Sequence, residues 1–465
     1  MRHGLTYVLP FVLVAGGVAM MATACGSDKR DSFAAADAGG DVSPGLVNGP
    51  VPCAGLECKR ATCDDGSTTT LTGKVYDPAG ANALYNVMVY IPKDNVELPE
   101  IPEGVACETC SSVALNPMVS ALTDTKGEFT LENVPVDKDV PVIVQIGKWR
   151  RALTIDITKK CEANKVPDRE FRLPKNSSEG NMPQIAVTAG GCDALECLLR
   201  GIGVDESEFV PGPSTAGHIH VYNGDGGEFP GAPAAGGTMS APMGGQLWND
   251  PAKMAAYDMV MLSCECGETN ENKGNNITGA RQSMWDYANM GGRIFATHFH
   301  YTWFKNSPQN DWRNLANWTP SGGTSGAYDV VQTLADGSPF PKGEALADWL
   351  FNINASPSKG HIQLTDVTAS LSSVKAPAQS WIQQGANTVK YFSFNAPIGE
   401  APENQCGRAV YSDLHLMGVT AGGQAFPAGC PSPGGLSAQQ KALEFMFFDL
   451  SACVQGDDIP PNPPK

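Results

Sequence analysis

The chain has 465 residues, a formal net charge of −17 at pH 7 and 14 cysteines. No basic stretch is available to neutralise phosphates, which argues against a nucleic-acid partner. So many cysteines favour disulfides formed in an oxidising compartment outside the cytoplasm.

The first 25 residues have the order of a secretory signal peptide. Basic Arg2 and the uncharged, mostly apolar stretch Leu5–Met21 precede three small residues and Cys25. The order resembles a bacterial lipobox, although Ala22 stands where leucine is more usual. The resemblance implies a signal peptide over 1–24, a lipid on Cys25 and a place in the cell envelope, anchored in the outer membrane on its periplasmic or outer face. A single-pass anchor is the alternative, for which the apolar stretch is short.

Residues 25–68 are rich in Gly, Ala, Pro, Asp and Ser, which predicts a flexible tether. Its later part holds three cysteines that are candidates for attachment to the next domain. A zinc site is the weaker alternative, because no Cys/His pair follows at finger-like spacing. Setting Cys25 aside leaves 13 of the 14 cysteines, an odd number, so at least one thiol is free or paired between chains. The candidate disulfide cysteines are Cys53, Cys58, Cys63, Cys107, Cys110, Cys161, Cys192, Cys197, Cys264, Cys266, Cys406, Cys430 and Cys453.

Residues 69–175 alternate between apolar and polar positions and predict a β-sandwich. "GKVYDPAG", "VMVYIP" and "TDTKGEFTLENVPV" are short strands separated by turns. These motifs resemble the carboxypeptidase regulatory-like, transthyretin-like family, which implies a spacer or a weak carbohydrate-binding-like module. Cys107 and Cys110 lie in a long insertion, where a structural disulfide is favoured over a redox Cys-x-x-Cys.

Residues 183–453 alternate strands with helices and predict a parallel sheet covered on both faces. The strands are "QIAVTAG", "HIHVYNGDGG", "DMVMLSCECGE", "RIFATHFHY" and "RAVYSDLHLMG". Asp250 before Pro251 predicts one helix start, and Ser437 with Gln440 forms a capping box for the final helix. An irregular insertion is expected at about 305–385, and a disordered tail at 454–465.

The progression from "YDMVML" through a helix ending in Gly-Gly to "RIFATHFHY" resembles the class I glutamine-amidotransferase fold, which is flavodoxin-like, and its trehalose-utilisation branch. That family places a nucleophilic cysteine in a glycine-flanked elbow after this strand. Here the same place reads Ala-Thr-His298-Phe-His, so glutamine hydrolysis by that mechanism is not expected. Cys264 and Cys266 end the preceding strand. Their acidic neighbours would raise a thiol pKa, so a disulfide with Cys192 or Cys197 is favoured.

Several histidines fall near predicted strand ends, where open parallel sheets bind ligands. Residues two apart on a strand share a face, so three such pairs are expected to converge into a pocket or a divalent metal site, with zinc as the candidate ion. The candidates are His218, His220, His298, His300, Asp413 and His415. The alternative is that these histidines only pack beside the aromatic cluster of residues 299–304.

The sequence thus predicts a multidomain envelope lipoprotein, a β-sandwich followed by an α/β domain. The leading functional expectation is a non-catalytic binding protein for carbohydrate or cell-wall glycan, with aromatic and polar neighbours lining the pocket. One alternative is a metal-dependent hydrolase that uses the histidine cluster, and another is a structural envelope component. The membrane, through the lipid, and a glycan or an envelope protein are the expected partners.

Overall fold

The structure, a computed structural model, describes residues 53, 55–93, 97–110, 116–236, 247–274, 279–385, 387–416 and 426–462. The predicted signal peptide and the predicted lipidation site at Cys25 lie outside these residues. All the described segments belong to one compact unit, Cys53–Lys465.

The first part of this unit consists of two small sheets. One has the strand order β4-β1-β7, and the other is antiparallel with the order β3-β2-β5-β6. Phe129 and Leu131 are buried between exposed neighbours on β4, which is the alternation of a sheet with one covered face. The expected β-rich character of residues 69–175 is confirmed. The strands are β1 (Thr70–Lys74), β2 (Met88–Ile91), β3 (Val119–Leu122), β4 (Glu128–Glu132), β5 (Asp137–Ile146), β6 (Trp149–Ile157) and β7 (Ala163–Lys165).

The second part is built on a ten-stranded sheet with the order β15-β14-β17-β18-β19-β12-β11-β8-β10-β9. From β9 to β19 all neighbours are parallel, and the chain runs to opposite sides of β8 when it enters β10 and β11. Its first strands are β8 (Ile185–Ala189), β9 (Phe209–Pro211), β10 (Ile219–Asn223), β11 (Met259–Leu262) and β12 (Arg293–Thr297).

The segment 305–385, expected to be irregular, is instead largely regular. It supplies antiparallel strands that extend the main sheet beyond β19, and a separate ribbon of β13 and β16. These strands are short and pair with partners distant in sequence, which a local pattern does not reveal. The later strands are β13 (Ala316–Ser321), β14 (Gly326–Val330), β15 (His361–Leu364), β16 (Ala369–Val374), β17 (Gln379–Gln383), β18 (Val389–Ala396) and β19 (Gly407–Ser412).

Seven α-helices accompany these strands in the described residues. Asp250 caps α2 through the amides of residues 252 and 253, and Ser437 and Gln440 form the expected capping box at α7. None of the seven has the length and apolar character needed to cross a bilayer. The helices are α1 (Leu195–Gly201), α2 (Pro251–Ala255), α3 (Ala280–Asn289), α4 (Thr302–Lys305), α5 (Asn310–Arg313), α6 (Pro341–Asn352) and α7 (Ala438–Ser451).

Alternate residues of the parallel strands enter two different cores. On β8, Ile185 and Val187 pack with α1, α7 and the small β-sheets, whereas Ala186 packs with α2 and α3. Helix α7 therefore lies between the main sheet and the β-rich first part, where Trp149 meets Phe447 and Phe448 edge-on. The two predicted domains thus share one continuous core.

Disulfides reinforce this union. Cys63–Cys161 attaches the end of the tether to the first part, as the sequence suggested, and two bridges join the 107–110 segment to the second part. Cys107 and Cys110 thus form structural disulfides, as expected, each with a distant partner and not with each other. The six bridges are Cys53–Cys58, Cys63–Cys161, Cys107–Cys406, Cys110–Cys453, Cys192–Cys266 and Cys197–Cys430.

Two further expectations are corrected. Cys266, not Cys264, pairs with Cys192, and Cys264 is a free, buried thiol. The segment after α7, expected to be a disordered tail, is attached as far as it is described, because Val454 bridges to Thr109 and Asp457 pairs with Arg408.

Peptide mapping without reductant tests this covalent arrangement. Digestion of unreduced protein should yield Cys107 linked to Cys406 and Cys110 linked to Cys453, because their Cα atoms lie 4.8 and 4.9 Å apart. Only Cys264, among the described cysteines, should take up an alkylating label in denaturant. A cross-linked Cys107–Cys110 peptide would contradict the fold.

Candidate metal centre

Three side chains meet beyond the carboxyl ends of the parallel strands. They are the thiol of Cys264, which follows β11, and the imidazoles of His298 and His415, which follow β12 and β19. One ligand atom from each lies within 4.8 Å of the other two. The three strands are adjacent in the sheet, so residues about 150 positions apart in the chain are brought together by parallel pairing.

Hydrogen bonds between the ends of β11 and β12 position the two closest ligand residues, Cys264 and His298. The Cys264 amide donates a 3.0 Å hydrogen bond to Oγ1 of Thr297, and that hydroxyl donates to the carbonyl of Leu262. This exchange holds the two strand ends in register just before the site. Cys264 Sγ then lies 3.2 Å from His298 Nδ1.

The backbone of His298 is strained. Its φ is 39°, in the left-handed region that side chains other than glycine rarely adopt. His298 begins the turn that directly follows β12 and leads into α4. The hydroxyl of Tyr411, on β19, lies 2.7 Å from the His298 carbonyl and helps to hold the turn.

Asp413 supports the site structurally, because its carboxylate is already engaged in hydrogen bonds. Its carboxylate is fully buried and accepts hydrogen bonds from the Ser370 amide and hydroxyl, each at 2.7 Å, and from the Thr368 hydroxyl at 2.9 Å. The Tyr411 hydroxyl lies 2.7 Å from the same carboxylate. Asp413 therefore fixes the end of β19, two residues before His415.

Asp193, which follows β8, is a member that sequence reasoning missed. Its Oδ1 accepts a 3.0 Å hydrogen bond from the amide of Leu416, the residue after His415. Its Oδ2 accepts none among the described residues. Burial raises the Asp193 pKa, and the nearby His415 opposes that rise. Its position shortly after an apolar strand, a glycine pair and Cys192 is the sequence feature that could have pointed to it.

Burial keeps the central pair neutral. It raises the pKa of the Cys264 thiol to about 12, and it lowers the pKa of His298 to about 3. His415 and Lys390 lower the His298 pKa further. At neutral pH the pair is thus a thiol and an unprotonated imidazole, not the thiolate–imidazolium pair of a cysteine nucleophile.

His415 completes the group. Its ring centroid lies 4.8 Å from that of His298, and its Nδ1 lies 3.8 Å from Oδ1 of Asp366. Its Nε2 is buried and has no hydrogen-bond partner among the described residues. A buried imidazole nitrogen without a partner is costly, and coordination to a metal would satisfy it.

The other predicted histidines do not join this group. His218 precedes β10 and pairs with Glu208 at 2.7 Å, while His220 contacts the Tyr257 hydroxyl at 2.9 Å. Both therefore lie toward the amino end of β10, whereas the site lies at the carboxyl edge. His300 is near the site but uses both ring nitrogens, on the Ser263 carbonyl and the Trp303 indole.

The aromatic cluster is also structural. Tyr301 is 2 % exposed, and Trp303 and Phe304 are fully buried. Only Phe299 of this run keeps part of its side chain at the surface. The aromatic residues expected to line a sugar pocket are therefore mostly core.

No protein-family model matches the chain, and no curated protein matches it significantly. The residues at the strand ends are therefore the basis for any assignment of function.

Thiol reactivity tests the electrostatics. Because Cys264 is buried and its pKa is raised to about 12, metal-free folded protein should alkylate at pH 8 at least about 100-fold more slowly than protein in urea. The measurement is mass spectrometry of the Cys264 peptide after timed exposure to iodoacetamide. Equal rates in the two states would show that the thiol is exposed or activated.

Proposed function

We propose that this protein is a metal-dependent hydrolase of the cell envelope, with a zinc-type centre at Cys264, His298 and His415. The observation that carries the proposal is the convergence of these three ligand atoms within 4.8 Å at the carboxyl edge of the sheet. That edge is where parallel α/β sheets bind their ligands. Here it lies beside the topological switch point, where β10 and β11 pair on opposite sides of β8.

The ligand set selects the class of metal. One thiolate and two imidazoles suit zinc and related transition ions, whereas magnesium and calcium prefer oxygen ligands. The neutral His298 offers its lone pair without losing a proton, and the metal would draw the proton from Cys264. Three protein ligands leave a fourth position, and a metal held this way supplies an activated water for hydrolysis.

Cysteine-based amidotransferase activity fits the residues at this edge of the sheet less well than metal binding does. The strained turn carries His298 where that family needs a nucleophilic thiol. Cys264, one strand away, is protonated at neutral pH because burial raises its pKa. A thiol in that state is a weak nucleophile.

The fold and location proposals rest on the sequence motifs. The first part is proposed to be a carboxypeptidase regulatory-like sandwich, and the second an amidotransferase-like α/β domain adapted to hold metal. Six disulfides among the described residues are typical of a protein that folds outside the cytoplasm. They support export, and the lipid on Cys25 and the outer membrane remain part of the proposal.

Non-catalytic glycan binding stays a prediction. Its expected aromatic wall is buried in the core. A cavity of about 500 Å³ lies elsewhere, between the β5–β6 turn and the end of α7, and none of the three ligand residues lines it.

Metal loading tests the proposal. The purified protein should bind one equivalent of zinc. With cobalt it should show the strong near-ultraviolet charge-transfer absorption of a thiolate ligand. Cys264→Ser should abolish that absorption and weaken zinc binding by more than about 100-fold, because a direct ligand matters more than an outer-shell partner.

The matched control is His361→Ala, because His361 is an exposed histidine that pairs with Asp329 far from the site. It should leave stoichiometry and spectrum unchanged, whereas His298→Ala and His415→Ala should each weaken binding. Zinc binding that persists unchanged in Cys264→Ser, or no binding at all, would contradict the proposal.

A further inference from the structure

Helix α7 carries two buried acids whose surroundings differ. Burial would raise the pKa of Asp449, but Lys342 at 2.8 Å and Arg408 at 3.4 Å outweigh it and lower that pKa. Glu444, five residues earlier, is fully buried, and its Oε2 accepts a 2.7 Å hydrogen bond from the neutral amide of Asn82. Among the described residues, no lysine or arginine forms an ion pair with Glu444, and Lys441 acts on it only through its charge.

A second buried acid lies beside Glu444. Asp77, in the turn after β1, is fully buried, and each of the two carboxyl groups shifts the pKa of the other. The Asp77 amide donates a 2.9 Å hydrogen bond to the carbonyl of Asn82, the residue whose side chain binds Glu444. Asp77 Oδ1 accepts from the Ala81 amide at 2.7 Å. Among the described residues, Asp77 Oδ2 and Glu444 Oε1 have no hydrogen-bond donor, and a proton shared between them would satisfy both. Carboxylate oxygens only accept, so two of them can bond only when one carries a proton.

We propose that Asp77 and Glu444 share a proton and act as a pH-sensitive latch between the β-rich first part and helix α7. A second, neutral contact joins the same turn to α6. The Trp349 indole, on α6, donates 2.6 Å to the Ala83 carbonyl of the same turn. If both carboxyl groups were ionised, their repulsion in this buried environment would weaken the contact between the turn and α7, because no described cation touches either of them.

The charges around the pair explain the direction of its response. Burial, with Asp77 as a second cause, raises the Glu444 pKa well above its usual range, and Lys441 on α7 opposes this. Burial also raises the pKa of Asp77, to about 6. The Ala81 amide, the Glu444 side chain and the amides of Asn82 and Gly80 lower it.

The sign of the pH dependence follows. Both carboxyls bind a proton more tightly in the folded protein than in the unfolded chain. Their contribution to stability is therefore complete below about pH 4, the range of unfolded acids, and is lost as the pH rises through the folded values, beginning near pH 6. The contact between the turn and α7 is held in acid and loosens in alkali.

Glu444→Gln tests the latch. The new amide can accept from Asn82 through its oxygen and donate to Asp77 Oδ2 through its nitrogen, so no shared proton is needed. Urea unfolding of the full chain, with disulfides intact, is measured at pH 5 and pH 8. The unfolding equilibrium constant of the unmodified protein should rise between these pH values by at least about tenfold more than that of the variant.

Two further variants make the comparison decisive. Asp77→Asn removes the other carboxyl and should flatten the pH response in the same way, and it decides the question if Glu444→Gln fails to fold. Glu344→Gln, an exposed acid on α6, makes the same change in charge and should keep the original response. An equal pH response in the unmodified protein and in the variants of the pair would overturn the proposal. A variant that loses stability equally at both pH values would also overturn it.

Discussion

Parallel pairing of β8, β11, β12 and β19 is the constraint on which the candidate site depends. In such a sheet every strand ends at the same edge, so the residues that follow the four strands become neighbours whatever their distance along the chain. Asp193, Cys264, His298 and His415 are those residues. The hydrogen bond from Cys264 to Thr297 and the contact of Tyr411 with the His298 carbonyl then fix the strand ends to one another.

Burial determines the protonation states of the residues at that edge. The thiol and the imidazole lie 3.2 Å apart, yet the low dielectric keeps both uncharged instead of driving a proton from one to the other. The same arrangement that makes a poor nucleophile makes a suitable ligand set, since a metal cation supplies the positive charge that the pair lacks. Burial acts in the same way on Asp77 and Glu444, where a proton takes the place of the missing cation.

Much of the strand and helix pattern can be read from the sequence, because the parallel strands are apolar runs and α2 and α7 begin at clear N-caps. The site was only partly readable. His298 and His415 were found because they follow strands, but Cys264 was assigned to a disulfide, since spacing does not tell which of Cys264 and Cys266 reaches Cys192. The prediction places His218 and His220 at the carboxyl edge of the sheet, which is wrong. Both stand at the beginning of the apolar run of β10, so the sequence itself indicates the amino end of that strand.

The antiparallel extension of the sheet and the union of the two predicted domains could not be read locally. Both depend on pairing and packing between segments far apart in the chain, such as Trp149 against α7.

The most direct test of the central claim is X-ray absorption at the zinc edge of zinc-loaded protein. We predict one sulfur at about 2.3 Å and at least two imidazole nitrogens at about 2.0 Å. A zinc shell without sulfur would contradict a centre built on Cys264, His298 and His415.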